Sequence, residues 1–92
     1  MKLSEVKFAC LDTETTGLSP EGGGKICEVA LSVSRGGRVL EEFSTLLNPG
    51  MPMHPDVIAI HGITNEMVAT APTFADVLPK LLSLLDDSVI VA

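Results

Sequence analysis

Asp12 and Glu14 stand two positions apart, directly after the apolar run Val6-Lys7-Phe8-Ala9-Cys10-Leu11. That run reads as a short buried strand, and in a strand residues i and i+2 point to the same face. The two carboxylates therefore converge on one point at the strand's end. Converging carboxylates set against a sheet call for a compensating charge, because burying them bare is costly. A hard divalent cation meets that need: Mg2+ typically takes one or two carboxylates and keeps room for water or a substrate phosphate. Thr13, Thr15 and Thr16 add hydroxyls for hydrogen bonding, and Gly17 lets the backbone turn or come close to a ligand. Taken alone, an Asp-x-Glu pair is also the pattern of a solvated strand end.

The elements that must hold these residues follow from periodicity. The first strand runs from Val6 to about Thr13. Ser19-Pro20-Glu21-Gly22-Gly23-Gly24 reads as a flexible loop. Gly24-Lys25 is superficially the end of a phosphate-cradling loop, but Ile26 stands where Ser or Thr is needed and Ser19 where the first Gly is needed. A strand pattern follows instead of a helix, so that reading is rejected. Residues 26–34 alternate: Cys27, Val29, Leu31 and Val33 form the apolar face that should meet the core. Glu28 lies on the other face and reads as a partly buried structural carboxylate rather than a third acid of the site. Arg35-Gly36-Gly37-Arg38 is a hairpin signature, and a third strand runs from Val39 to about Leu47, which predicts an antiparallel meander.

Pro55 suits the first position of a short helix over residues 55–60, which His61-Gly62 breaks. Thr64 is placed to cap another short turn over residues 65–68. Of the two histidines, His54 reads as structural, and on the residues alone His61 reads as a loop histidine that packs or caps a neighbour. Thr73 and Asp76 make a capping-box arrangement with Asp in place of Glu. Phe74, Val77, Leu78, Leu81, Leu82 and Leu85 then form one apolar stripe that should pack on the sheet. Pro79 should kink this helix. Asp86-Asp87 ends it, and Ser88-Val89-Ile90-Val91-Ala92 reads as a fourth, buried strand. A strand, a helix and a strand in that order predict a crossover, with strand four parallel to strand one. The fold class is α/β, a mixed sheet with helices packed on it.

Asp12-Thr13-Glu14-Thr15-Thr16-Gly17-Leu18 resembles the first motif of the DEDD superfamily of 3′–5′ exonucleases, which includes the proofreading epsilon subunit of bacterial replicative polymerase. Ile26-Cys27-Glu28-Val29-Ala30 resembles the family's second strand, Leu47-Asn48-Pro49-Gly50 the exit from its third, and His61-Gly62-Ile63-Thr64 its His-Gly-Ile segment. The resemblance implies a ribonuclease H-like fold and hydrolysis of nucleic-acid phosphodiesters from the 3′ end with two Mg2+ or Mn2+ ions. It implies Asp12 and Glu14 as catalytic metal ligands. It implies contacts from Thr13, Thr15 and Thr16, through hydroxyls or backbone groups, and from His61 to the terminal nucleotide. The implied partners are a single-stranded 3′ end, of DNA rather than RNA, and a DNA polymerase subunit. The family's second and third motifs, which carry the other carboxylates, are not found in this sequence. The chain is thus expected to be the N-terminal part of a single exonuclease domain, truncated after the fourth strand and inactive alone.

Composition narrows the alternatives. With 46% hydrophobic and only 3% aromatic residues, the core must be aliphatic. No apolar run reaches the ~18–20 residues of a membrane span, and the first residues lack a signal-peptide pattern, so a soluble cytoplasmic protein without membrane contact is expected. Cys10 and Cys27, both in apolar strands, read as reduced core thiols. A net charge of −6 opposes a surface that grips nucleic acid by phosphate neutralisation. That acidity and the missing motifs leave open a second reading, a non-catalytic protein-interaction module on the same fold; the sequence does not separate DNA from RNA substrates, which leaves a third, an RNA-directed exonuclease of the same superfamily.

Overall fold

A computed structural model describes residues 2–17 and 25–92; the loop expected at residues 19–24 lies outside the described residues. The first strand, β1 (Lys7–Thr15), pairs antiparallel with β2 (Ile26–Arg35), which pairs antiparallel with β3 (Arg38–Leu46). The β2–β3 turn is made by Gly36 and Gly37 with φ of 57° and 78°. Two successive positive φ values define the turn whose twist matches the flanking strands, and the Gly-Gly pair adopts them without strain.

Beyond β3 come α1 (Pro55–His61), α2 (Asn65–Val68), α3 (Phe74–Leu85) and β4 (Ser88–Val91). The sheet order is β3-β2-β1-β4, with β4 parallel to β1 as the crossover requires. The α1 helix starts with Pro55 behind the His54 cap and stops at Gly62, which takes the left-handed conformation at φ 74°. The Thr73 hydroxyl accepts from the Asp76 backbone N–H, and the Thr73 N–H donates to the Asp76 carboxylate, so the capping box forms with Asp in the Glu role. Asp87, at φ 57°, makes the tight entry into β4.

The core lies on one face of the sheet. Ala9 of β1, Val29, Leu31 and Val33 of β2, Leu47, and Val77 and Leu81 of α3 are buried together, with Leu84 and Leu85 packed against them. A smaller cluster of Cys27, Met53, Ile63 and Val68 ties α1 and α2 to the end of β2. Full burial of each Val or Leu stabilises by roughly 1.5–3 kcal/mol.

Several expectations need correction. Strand one is not buried throughout: Ala9 is, but Cys10 and Asp12, on its other face, are exposed. Cys10 is therefore not a core thiol, whereas Cys27 is, and both are free. The reason is that α3 covers the Ala9 face, while no helix among the described residues covers the face that carries Cys10. The α3 stripe is also rotated from the one expected. Phe74, Leu78 and Leu82 are 40%, 37% and 59% exposed, and the face that meets the sheet is Val77, Leu81, Leu84 and Leu85. An apolar arc wider than the contact it can make with one sheet leaves its flank in solvent. Val89, Ile90 and Val91 of β4 are about half exposed, not buried.

Candidate metal centre

The open face of the sheet is assembled by register. Asp12 lies opposite Ala30 and Glu14 opposite Glu28 across the β1–β2 ladder, and Ser44 and Leu46 of β3 continue those rows. Directly opposed residues share a face, so Asp12, Glu14, Glu28 and Ala30 project together. Asp12 opens onto a depression that Cys10, Ala30, Ser32, Glu42 and Ser44 also line. Asp12 is exposed and Glu14 half-buried. Among the described residues no Lys or Arg lies within ion-pair distance of either carboxylate.

Two oxygen-only donors on one face, without a counter-cation, are the chemistry a hard divalent ion takes, and the residues present fit such an ion. Among the described residues no three His, Cys, Asp or Glu side chains lie close enough together to hold one. The described residues thus offer a pair of carboxylates, not a closed cage.

The threonines separate from one another. Thr13 alternates to the opposite face from Asp12 and Glu14, opposite Val29. The Thr15 hydroxyl donates to the Gly17 carbonyl at 3.0 Å. Thr16 is buried; its hydroxyl accepts from the Lys25 N–H at 2.9 Å and faces Met51 Sδ at 3.5 Å, while its own N–H donates to the Lys25 carbonyl at 2.8 Å. Thr15 and Thr16 therefore use their hydroxyls to fix the exit from β1 and to join it to the start of β2.

His61 reaches the same end of the sheet. Its Nδ1 accepts from the Ile63 N–H at 3.0 Å, and its Nε2 lies 3.8 Å from Cys27 Sγ. Burial first, and then the nearby Glu14 charge, push the Cys27 thiol above its ordinary pKa, with a smaller push from Glu28. Cys27 is consequently a protonated packing residue, not a nucleophile. Sequence reasoning had set Glu28 apart from the site; the signal that places it there is the strand pairing register, which cannot be counted across a loop of unknown geometry.

An antiparallel meander, a parallel fourth strand after a crossover helix, and a carboxylate pair at the end of the central first strand define an α/β protein of ribonuclease H-like topology. The family model described as Exonuclease, of the RNase T type, matches residues 9–92, and the chain belongs to this family of DEDD exonucleases. It is 45% identical over 92 residues to a DNA polymerase III subunit epsilon-like protein of Rhodobacter capsulatus, covering 98% of this chain and 13% of that protein. It is 34% identical over 90 residues to the 3′-5′ exonuclease DinG of Bacillus subtilis, covering 98% of this chain and 10% of that one. Among solved structures, exonuclease X in complex with 5′ overhanging duplex DNA superposes with a TM-score of 0.71 at 38% identity, over 80% of this chain and 42% of that one. The chain thus spans a small part of the length of these relatives. Divalent metals are general in this family. No helix among the described residues is long and apolar enough to cross a membrane.

Proposed function

We propose that this chain forms the first-motif part of a 3′–5′ exonuclease, with Asp12 and Glu14 as ligands of Mg2+ or Mn2+ and a single-stranded 3′ end, of DNA, as substrate. The single observation that carries the reading is the Asp12–Glu14 pair on one face of β1, without a cation beside it, inside a chain that belongs to the exonuclease family. Bound divalent ions supply a polarised water and neutralise charge on the phosphate. Asp12 and Glu14 hold the ions to the sheet. Thr15 and Thr16 shape the turn after β1 so that its backbone groups face the terminal nucleotide, and His61 with Gly62 and Ile63 borders it from the α1 side. Two ions need more carboxylates than this pair, so the working site draws on acids beyond the two found here. A DNA polymerase is the proposed assembly partner, supported by the name of the Rhodobacter relative.

Asp12→Ala in the complete exonuclease domain is expected to abolish Mg2+-dependent digestion of single-stranded DNA from the 3′ end. Because Asp12 is exposed, folding should be nearly unchanged. Digestion by a labelled-strand assay, beside circular dichroism of the same variant, decides it: near-normal turnover rules out the assigned role.

A further inference from the structure

Glu14 and Glu28 are direct partners in the antiparallel ladder, where opposed side chains on one face stand about 4.5–5.5 Å apart at Cβ. Both are half-buried, and neither has an ion-pair partner among the described residues. Like charges directly opposed across a ladder are destabilising, and the rows beside them offer no relief: Ala30 follows Glu28 on this face, and Leu46 of β3 lies opposite it. Glu28 nevertheless does not combine with Asp12 and Glu14 into a three-ligand group. It stands beside Glu14 in the ladder without completing a cage.

We infer that Glu28 is a positioning residue for the divalent ion: it acts through Glu14, destabilises the ion-free face and raises the affinity of the Asp12–Glu14 pair for a divalent cation. The inference rests on the proposed function of that pair. With an ion held by Asp12 and Glu14, Glu28 would add a third negative charge near it and could accept hydrogen bonds from its water, the arrangement by which outer groups tune a metal site. The cation, in return, cancels a repulsion built into the β1–β2 register.

The test is Mn2+ binding by the 92-residue chain, read from the loss of the free-ion electron paramagnetic resonance signal, beside thermal melts with EDTA and with Mn2+. Glu28→Gln keeps the shape and removes the charge. It should weaken Mn2+ binding roughly tenfold and raise the ion-free Tm by about 2–5 °C. Glu28→Asp should restore most of the affinity. Glu41→Gln, which removes the same charge from the opposite face, should change neither reading. A Glu28→Gln chain with wild-type Mn2+ affinity, or with a lower Tm in EDTA, overturns the inference and leaves the Asp12–Glu14 reading standing. Wild-type binding by Asp12→Ala, or no Mn2+ binding by the wild type, removes the site itself and the inference with it.

Discussion

The hydroxyl of Thr16 has two partners, Lys25 and Met51, and both lie within the protein. A chain reader sees three threonines beside two carboxylates and assigns the hydroxyls to a ligand. The bond to Lys25 spans nine positions and a loop, and no local pattern announces it. Thr16→Val preserves shape and removes the acceptor, leaving the Lys25 N–H unsatisfied. It should destabilise the chain by about 1–3 kcal/mol, read by urea denaturation; a stability equal to wild type would return the hydroxyl to the substrate. Asp12 and Glu14 were legible because strand alternation alone fixes their common face. Cys10 and Cys27 were not distinguishable, because both occupy apolar runs and burial depends on which face the later helix covers.

At the scale of elements, α3 separates what a pattern contains from what a contact uses. Thr73 and Asp76 were readable as a cap because the capping box is a local geometry, and the helix begins where that pair puts it. The stripe was readable as apolar but not as to which of its leucines meet the sheet. Leu81 is 4% exposed and Leu82 59%. Leu81→Ala should therefore cost about 2–5 kcal/mol, and Leu82→Ala within roughly 0.5 kcal/mol of nothing. Chemical denaturation of the two variants checks the order, and equal losses would move the helix face. The cap also titrates. Hydrogen bonds from the Thr73 backbone N–H and then from its side chain hold the Asp76 carboxyl below its ordinary pKa. A depressed folded pKa gives stability that is present above the unfolded value and is lost as pH falls through the folded one. Asp76→Asn should accordingly show a smaller loss of stability than wild type between neutral pH and a pH below the ordinary aspartate value of about 3.9. Parallel melts at the two pH values test it, and an identical acid loss in both chains would sink the cap's role.

For the whole molecule, the sheet order decides which acids can meet. Asp86 and Asp87 are the one adjacent acidic pair besides the Glu41–Glu42 pair of β3, and in sequence they resemble spare ligands. The parallel register places Ser88 beside Lys7 and Val91 beside Cys10, so β4 runs in the same direction as β1 and its acids lie at the start of both strands. Lys7 Nζ donates to the Asp86 carbonyl at 3.1 Å, which fixes that end. Asp12 lies five positions further along β1, and five strand residues at ~3.3 Å each span roughly 16 Å. A Mg2+–oxygen bond is about 2.0–2.1 Å, so Asp86 and Asp87 do not share an ion with Asp12 and Glu14. Glu41 alternates to the core side, and Glu42 lies two strands away opposite Ser32. Crossover topology was legible from the strand–helix–strand order, and with it the exclusion of Asp86 and Asp87; the Glu14–Glu28 pairing was not. The 92-residue chain, offering one converging carboxylate pair and the neighbouring Glu28, is therefore expected not to cleave labelled single-stranded DNA or RNA in Mn2+. Gel analysis of the purified chain beside Asp12→Ala tests this, and 3′-end cleavage that vanishes in the variant would show that the acids present suffice.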